Sequence, residues 1–226
     1  MKKMVVKISM LLIAGLCIAG FAQEEGSVGF GAGIKLGTPG PGIEVAIPFT
    51  DKFGGRINLN YFTYDYDTTQ EGIKYEAELN LMTIGATIDW YPTGRGFRLT
   101  GGVFYNGNEI TGKGEIGPGG VNIGGTTYTS TDVGKLKAKA DFDTLSPYIG
   151  IGWDTSFGGE RQWGFIGDVG ILYHGSPNIK LSSKGGTLSD DPTFLANLKK
   201  EEKEIEDNVE DFVWYPVITV GLIYRF

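Results

Sequence analysis

Apolar and polar positions alternate with a period of two in eight stretches of the chain, most of them about ten residues long and separated by turn-forming residues. Over 26–36, Val28, Phe30, Ala32, Ile34 and Leu36 share one face, and Gly29, Gly31, Gly33 and Lys35 the other. Over 42–50, Ile43, Val45, Ile47 and Phe49 stand against Glu44 and Ala46. Over 55–66, Ile57, Leu59 and Tyr61 stand against Arg56, Asn58 and Asn60. The stretch 73–91 opens with Tyr75, Ala77, Leu79 and Leu81 against Glu76, Glu78 and Asn80. It then slips by one, so that Ile84, Ala86, Ile88 and Trp90 take the apolar side, against Asp89. A slip inside one long strand predicts a β-bulge near Met82. The stretches 97–106, 145–155, 163–174 and 214–226 repeat the alternation, with Arg98, Asp154, Asp168, His174 and Arg225 on their polar faces.

In a soluble sandwich the apolar faces of such strands would point into the core. Here the polar faces combine glycine with charges of both signs, and the apolar faces carry large aromatics at the strand ends. Trp90, Phe97, Trp163 and Phe226 fall near one set of ends; Tyr61, Tyr105, Tyr173 and Trp214 fall near the other. Two aromatic girdles around an aliphatic band predict an all-β fold, an eight-stranded antiparallel transmembrane β-barrel that is apolar outside and polar inside. The connections at 51–54, 92–96 and 157–162 are short, whereas the opposite ends carry 37–41, 67–72, about 107–144 and about 175–213. That asymmetry predicts short periplasmic turns and long extracellular loops.

The first residues fit this destination. Lys2, Lys3 and Lys7 precede an apolar run over 8–19, and the small residues Gly20 and Ala22 precede Gln23. The pattern predicts a cleaved signal peptide over 1–22 and a barrel domain over 23–226. Cys17 could suggest a lipid-accepting cysteine, but Leu16 stands before it where a small residue is expected. Removing three lysines with the signal leaves 17 basic against 27 acidic residues, a net charge of about −10. That charge disfavours nucleic acid as a partner, and simple docking on an anionic membrane face as well. Glycine supplies 37 of 226 residues, far above the usual ~7%. No later apolar stretch reaches the ~18 residues of a spanning helix, but a closed barrel crosses a bilayer with every backbone group paired.

The closing stretch Val220-Gly221-Leu222-Ile223-Tyr224-Arg225-Phe226 resembles the last strand of outer-membrane barrels. With the signal peptide and the strand count, the whole mature chain resembles the small OmpA/OmpX/OmpW-like superfamily. It looks closest to a group of Gram-negative outer-membrane β-barrel proteins without an assigned role. Tyr105-Asn106-Gly107-Asn108, Leu172-Tyr173-His174-Gly175-Ser176-Pro177 and Phe212-Val213-Trp214-Tyr215-Pro216-Val217 look like that group's pattern. The resemblance implies the Gram-negative outer membrane as location. It also implies outer-membrane lipids and lipopolysaccharide as surroundings, a monomer, and barrel-assembly machinery that reads Val220, Leu222, Tyr224 and Phe226. It leaves function open, because such barrels serve as anchors, adhesins, channels and enzymes.

The polar faces assign Lys35, Glu44, Arg56, Glu76, Glu78, Asp89, Arg98, Asp154, Asp168, His174 and Arg225 to one lumen network. Eight strands leave an interior that side chains just fill. Opposite charges there should pair, since an unpaired buried charge is costly. A polar plug and a narrow route for small, including hydrophobic, solutes both remain open. In the last loop, Asp191 and Pro192 read as a helix start, and Phe194, Leu198, Ile205, Val209 and Phe212 fall on one face. A helix over about 192–210 is expected, able to lie over the barrel mouth, with Glu201, Glu202, Glu206, Asp207 and Glu210 on an acidic side. That side is a solvated face or a place for a divalent cation, although no calcium-loop spacing is present. The loop over 112–131 is expected to continue as a hairpin.

His174 and Ser176 repeat the H-x-S spacing of outer-membrane lipid A deacylases and could act as base and nucleophile. Against this, alternation turns His174 into the lumen, Pro177 follows at once, and no third residue can be named. The expectation is a non-enzymatic envelope protein with a structural or binding role, without cofactor or metal. A channel is the second reading and a lipid-modifying enzyme the third.

Overall fold

The computed structural model describes residues 29–70, 73–94, 96–157 and 161–226. The expected signal peptide over 1–22, Cys17, the cut before Gln23 and the first strand's start through Val28 lie outside these residues. The elements run β1 (Gly31–Gly37), β2 (Gly42–Pro48), β3 (Phe53–Gln70), β4 (Ile73–Trp90), β5 (Gly96–Asn106), β6 (Glu109–Glu115), β7 (Val121–Ile123) and β8 (Thr126–Tyr128). They continue with α1 (Ser130–Val133), β9 (Gly134–Asp141), β10 (Leu145–Asp154), β11 (Trp163–Tyr173), β12 (Asn178–Gly185), α2 (Pro192–Val209) and β13 (Trp214–Arg225).

Eight of these strands close on themselves in the circuit β1–β2–β3–β4–β5–β10–β11–β13–β1, every pairing antiparallel. Closure leaves no free edge within the barrel. Alternation then gives each strand a lumen side and an outer side. Outward, Ile34, Ile57, Ile88, Ile149, Val169 and Val220 are all at least 55% exposed, an apolar skin with nothing of the protein against it. Trp90, Trp153, Trp163 and Phe226 ring the short-turn end of that skin, and Tyr105, Tyr173 and Trp214 ring the long-loop end. Inward, Lys35, Glu44, Arg56, Asp89, Arg98, Asp154 and Asp168 are buried.

The bulge expected near Met82 is not there. The β3–β4 register runs unbroken from Phe53 opposite Trp90 to Gln70 opposite Ile73. What changes is the neighbour on the other side of β4. Residues 83–90 pair with β5, and residues 75–80 pair with β6. β4 therefore leaves the barrel wall and runs on as part of a second sheet, β4–β6–β9–β12. Its parity is constant, and its surroundings reverse. Ile84 and Ile88 are outward-facing on the barrel skin. Glu76 and Glu78 continue that same outward face, so the apolar set switches to the inner side with Leu79 and Leu81. Period-2 alternation reports which side is apolar, and that side moves when the strand passes from an apolar surrounding to a polar one.

The second sheet has an ordinary hydrophobic core on its inner face. Ile123, Tyr128, Val133, Phe194 and Leu198 are buried together, with Leu136 and Leu181 packed against them. The β7–β8 hairpin realises the hairpin expected in this loop. α2 starts as expected, with the Asp191 carboxylate accepting from the Thr193 and Phe194 backbone N–H groups at 2.9 Å and Pro192 in the first turn. Its acidic side is neither wholly solvated nor, among the described residues, arranged to hold a cation. Glu202 accepts from the Leu181 N–H at 2.6 Å, Glu206 from the Ile179 N–H at 2.9 Å, and Glu201 from the Gly124 N–H at 2.8 Å. β12 is the edge of this sheet, and two of these carboxylates satisfy N–H groups that an edge strand leaves unpaired. Among the described residues no helix is long and apolar enough to cross a membrane.

Candidate functional site

Among the described residues the barrel gathers its buried charged side chains in the lumen, and three layers fill it. At the short-turn end Tyr91 stacks on Phe157, with the Arg225 guanidinium 5.3 Å from the Phe157 ring centre. Arg225 also donates to Asp154 at 2.8 Å and to Ser156 Oγ at 2.7 Å.

The middle layer is ionic. Arg56 on β3 donates Nε and Nη2 to the two oxygens of Asp89 at 2.5 and 3.0 Å. It also reaches both oxygens of Asp168 at 3.1 Å, Thr100 Oγ1 at 3.2 Å and Glu44 at 3.3 Å. Arg98 on β5 donates Nη2 to both Asp168 oxygens at 2.9 and 3.0 Å, and its Nη1 lies 3.8 Å from Asp154. Lys35 donates to Asn58 and lies 3.5 Å from Glu44. The planar guanidinium suits this task, since its donors diverge in one plane and hold several carboxylates at once. Four cations (Lys35, Arg56, Arg98 and Arg225) meet four carboxylates (Glu44, Asp89, Asp154 and Asp168). The cluster is electrically balanced, which a low-dielectric interior demands.

Toward the long-loop end comes an apolar layer of Phe104, Tyr148, Leu172 and Val217. Above it lies His174, 2% exposed, edge-on to Phe142 at 4.3 Å between ring centres, with Phe212 at 5.7 Å and Tyr215 at 6.2 Å.

Glycine makes room for these large groups. A Cβ on Gly152 would stand 2.5 Å from Asp168 Oδ1 and 2.7 Å from Arg98 Nε, and one on Gly85 would stand 2.3 Å from the Phe104 ring. The high glycine content thus has a packing reason on the lumen side.

Of the residues assigned to the lumen network, Lys35, Glu44, Arg56, Asp89, Arg98, Asp154, Asp168 and Arg225 lie within one set of ion pairs. His174 also points inward, apart from the ions. Glu76 and Glu78 do not belong to the network. They lie on the outward face of β4 beyond the barrel, where Glu76 pairs with Lys74. Tyr148 stands on the polar face of its strand that alternation gives it, whereas Phe104 and Leu172, on the polar parity of their strands between outward apolar neighbours, are not singled out by the sequence pattern. Large apolar residues on both parities were the available signal. The base–nucleophile arrangement is not formed, because Ser176 Oγ donates to the Glu210 carbonyl at 2.9 Å rather than to His174. Val220, Leu222 and Phe226 are exposed on the outer side of β13, and Tyr224 packs between Trp163 and Phe226. Among the described residues no group of three or more His, Cys, Asp or Glu side chains is placed to hold a metal ion.

No family model matches the sequence, and no curated protein matches it. Solved structures do. CarO2 of Acinetobacter baumannii is 22% identical, with 88% of this chain and 99% of that chain covered and a TM-score of 0.56. CarO of the same organism is 20% identical over 88% and 97% of the two chains, with a TM-score of 0.54. A major outer membrane protein from Thermus thermophilus is 15% identical over 88% and 98%, with a TM-score of 0.42. The closed eight-stranded antiparallel barrel with a helix in its last loop is therefore the fold of the CarO-like outer-membrane β-barrels.

Proposed function

We propose that this chain is a non-enzymatic integral protein of the Gram-negative outer membrane, of the small OmpA/OmpX/OmpW-like kind. On this reading it is exported by a signal peptide over 1–22 and inserts as a monomer by assembly machinery that reads Val220, Leu222, Tyr224 and Phe226. Its lumen is closed, and its role at the envelope is structural or binding, carried by the long loops outside the cell.

The single observation behind this reading is the filled lumen. Arg98 and Asp154 are 0% exposed and Arg56 is 4% exposed, in a charge-balanced network that crosses the barrel from β3 to β11. The apolar layer of Phe104, Tyr148, Leu172 and Val217 adds a barrier to ions and water. A conducting pore of this width would need hydrated charges along a continuous path.

The test is single-channel recording on purified, folded protein in a planar bilayer. Silence from the wild type, with discrete steps appearing in Arg56→Ala/Arg98→Ala, supports a plug whose ionic layer is the barrier. Discrete steps from the wild type that vanish on boiling would replace the plug with the narrow-channel reading.

A further inference from the structure

The outward face of the loop sheet gathers basic residues in a chain that is otherwise strongly acidic. Directly opposite residues on neighbouring strands point to one face, so the register defines the surface. One row runs Glu76, Lys113, Lys137, Ser182; the next runs Glu78, Thr111, Lys139, Lys180; a third joins Glu115, Lys135 and Lys184. Leu136 and Leu181, of opposite parity, pack into the loop core, so the lysines face away from it. Among the described residues, six lysines of β6, β9 and β12 therefore share one sheet face, with Lys74 of β4 tied to Glu76 at its border.

The pairing on this face is unusual. Two lysines of β9 stand directly across from another lysine, Lys137 from Lys113 and Lys139 from Lys180, and Lys135 meets Lys184 at a register shift. Like charges directly opposite destabilise a sheet unless something between them is negative. Lys139 is relieved by Glu109 at 2.8 Å and Asp141 at 3.2 Å, and Lys135 by Glu115 at 3.4 Å. Lys113, Lys137, Lys180 and Lys184 form no ion pair among the described residues, and all four are exposed. Asp65, Asp67, Glu76 and Glu78 bound the face on the side of β3 and β4, so an anion is confined to the lysine rows.

The face also has a defined height, on the orientation proposed above. Ile84 stands opposite Tyr105 of the aromatic girdle, and the Lys139–Lys180 row is level with Glu78 on the same strand. Six residues at ~3.4 Å each, on a strand tilted by ~40°, place that row roughly 15 Å beyond the girdle. The headgroup region is only about 5–8 Å deep per leaflet, so the lysines look sideways into the layer beyond it. In an outer leaflet that layer is the phosphorylated saccharide of lipopolysaccharide.

We infer that the outward face of β6, β9 and β12 binds the phosphate groups of lipopolysaccharide, with Lys113, Lys137, Lys180 and Lys184 as the ligating cations. A phosphate between the facing, unpaired Lys113 and Lys137 accepts from both ammonium groups and cancels their repulsion, and Lys180 and Lys184 extend the site along β12. The inference rests on the outer-membrane placement proposed above.

The test uses the full protein, folded in detergent and titrated with fluorescent rough lipopolysaccharide, either intact or chemically dephosphorylated. Removing three lysines by Lys113→Gln/Lys137→Gln/Lys180→Gln should weaken binding of the intact lipid roughly a hundredfold, at about a factor of five per cation. Dephosphorylation should do the same to the wild type. A charge-matched control, Lys52→Gln/Lys199→Gln/Lys203→Gln, should change binding less than about twofold. Equal binding of intact and dephosphorylated lipid, or equal losses in the two triple variants, would overturn the inference. Inorganic phosphate competing at concentrations similar to the lipid phosphate would also overturn it, by assigning the face to small anions. Heat-modifiable migration of the same samples reports barrel formation and insertion. Protein that fails to insert contradicts the envelope reading, whereas inserted protein indifferent to phosphate contradicts only the lysine face.

Discussion

The barrel and the loop sheet are built from the same β-hairpin and obey opposite rules. In the barrel the charges are inside and the aliphatic side chains outside: Arg98 is 0% exposed while Phe165 is 70% exposed. In the loop sheet, Phe194 is 0% exposed and the lysines and carboxylates face out. β3 and β4 run through both regions without a break in register. The reversal between Ile84 and Asn80 is therefore set by the surroundings of the strand and not by its backbone. Each region keeps its polar groups where they can be satisfied. Water does this for the loop sheet, and paired charges do most of it for the lumen, where Arg98 Nε and Nη1 and Glu44 Oε1 are held by charge balance without hydrogen bonds among the described residues.

The comparison can be broken first at the ionic layer. Asp168→Ala removes the carboxylate shared by Arg56 and Arg98 and leaves two buried guanidinium groups short of partners. The expected loss is about 3–5 kcal/mol, read from urea unfolding in lipid or detergent by tryptophan fluorescence. A loss below about 1 kcal/mol would mean that the lumen charges behave like surface pairs.

The loop sheet should break separately. Phe194→Ala empties the centre of its hydrophobic cluster and should cost about 3 kcal/mol there. Proteolysis after the lysines of α2 should then quicken, while the barrel's heat-modifiable shift stays as in the wild type. Simultaneous loss of both would show that the two regions form one cooperative unit.

A matched pair of substitutions sharpens the contrast along β3. Ile57→Lys places a charge on the barrel skin and should cost about 2–3 kcal/mol. Asp65→Lys places the same side chain on the same parity eight residues further on, beyond the girdle, and should stay within about 0.5 kcal/mol. Equal costs would remove the distinction between the two surroundings. The smallest effect is expected at the covered edge. Glu202→Ala/Glu206→Ala leaves the Leu181 and Ile179 N–H groups without their acceptors, at about 1 kcal/mol each, and hydrogen exchange at those two amides should accelerate.

Much of this design was legible in the chain. The eight barrel strands, both aromatic girdles, the inward turn of His174, and the Asp191 cap with the helix behind it all follow from local periodicity and local hydrogen bonding. Local pattern misleads where it has two causes. A parity slip near Met82 is produced equally by an inserted residue and by a change of solvent, and only the pairing of residues 75–80 with β6 tells them apart. The same ambiguity drew Glu76 and Glu78 into the lumen, where they would have left the ionic layer with an excess of negative charge. Glu202 and Glu206 continue the stripe of Phe194 and Leu198 at helical spacing, yet their capping of backbone N–H groups depends on the edge of β12. The lysine rows arise only when β6, β9 and β12 are set side by side, and no stretch of sequence displays that arrangement.

The reversal is tested most directly by spin labels placed one at a time on the outward parity of β4, at positions 76, 78, 80, 84, 86 and 88, in protein reconstituted into bilayers. Accessibility to oxygen should dominate at 84, 86 and 88 and give way to accessibility to a water-soluble nickel chelate at 80, 78 and 76. Labels at 76 and 78 that are shielded from both reagents would place these residues in the lumen and contradict the crossing of β4 from barrel wall to loop sheet.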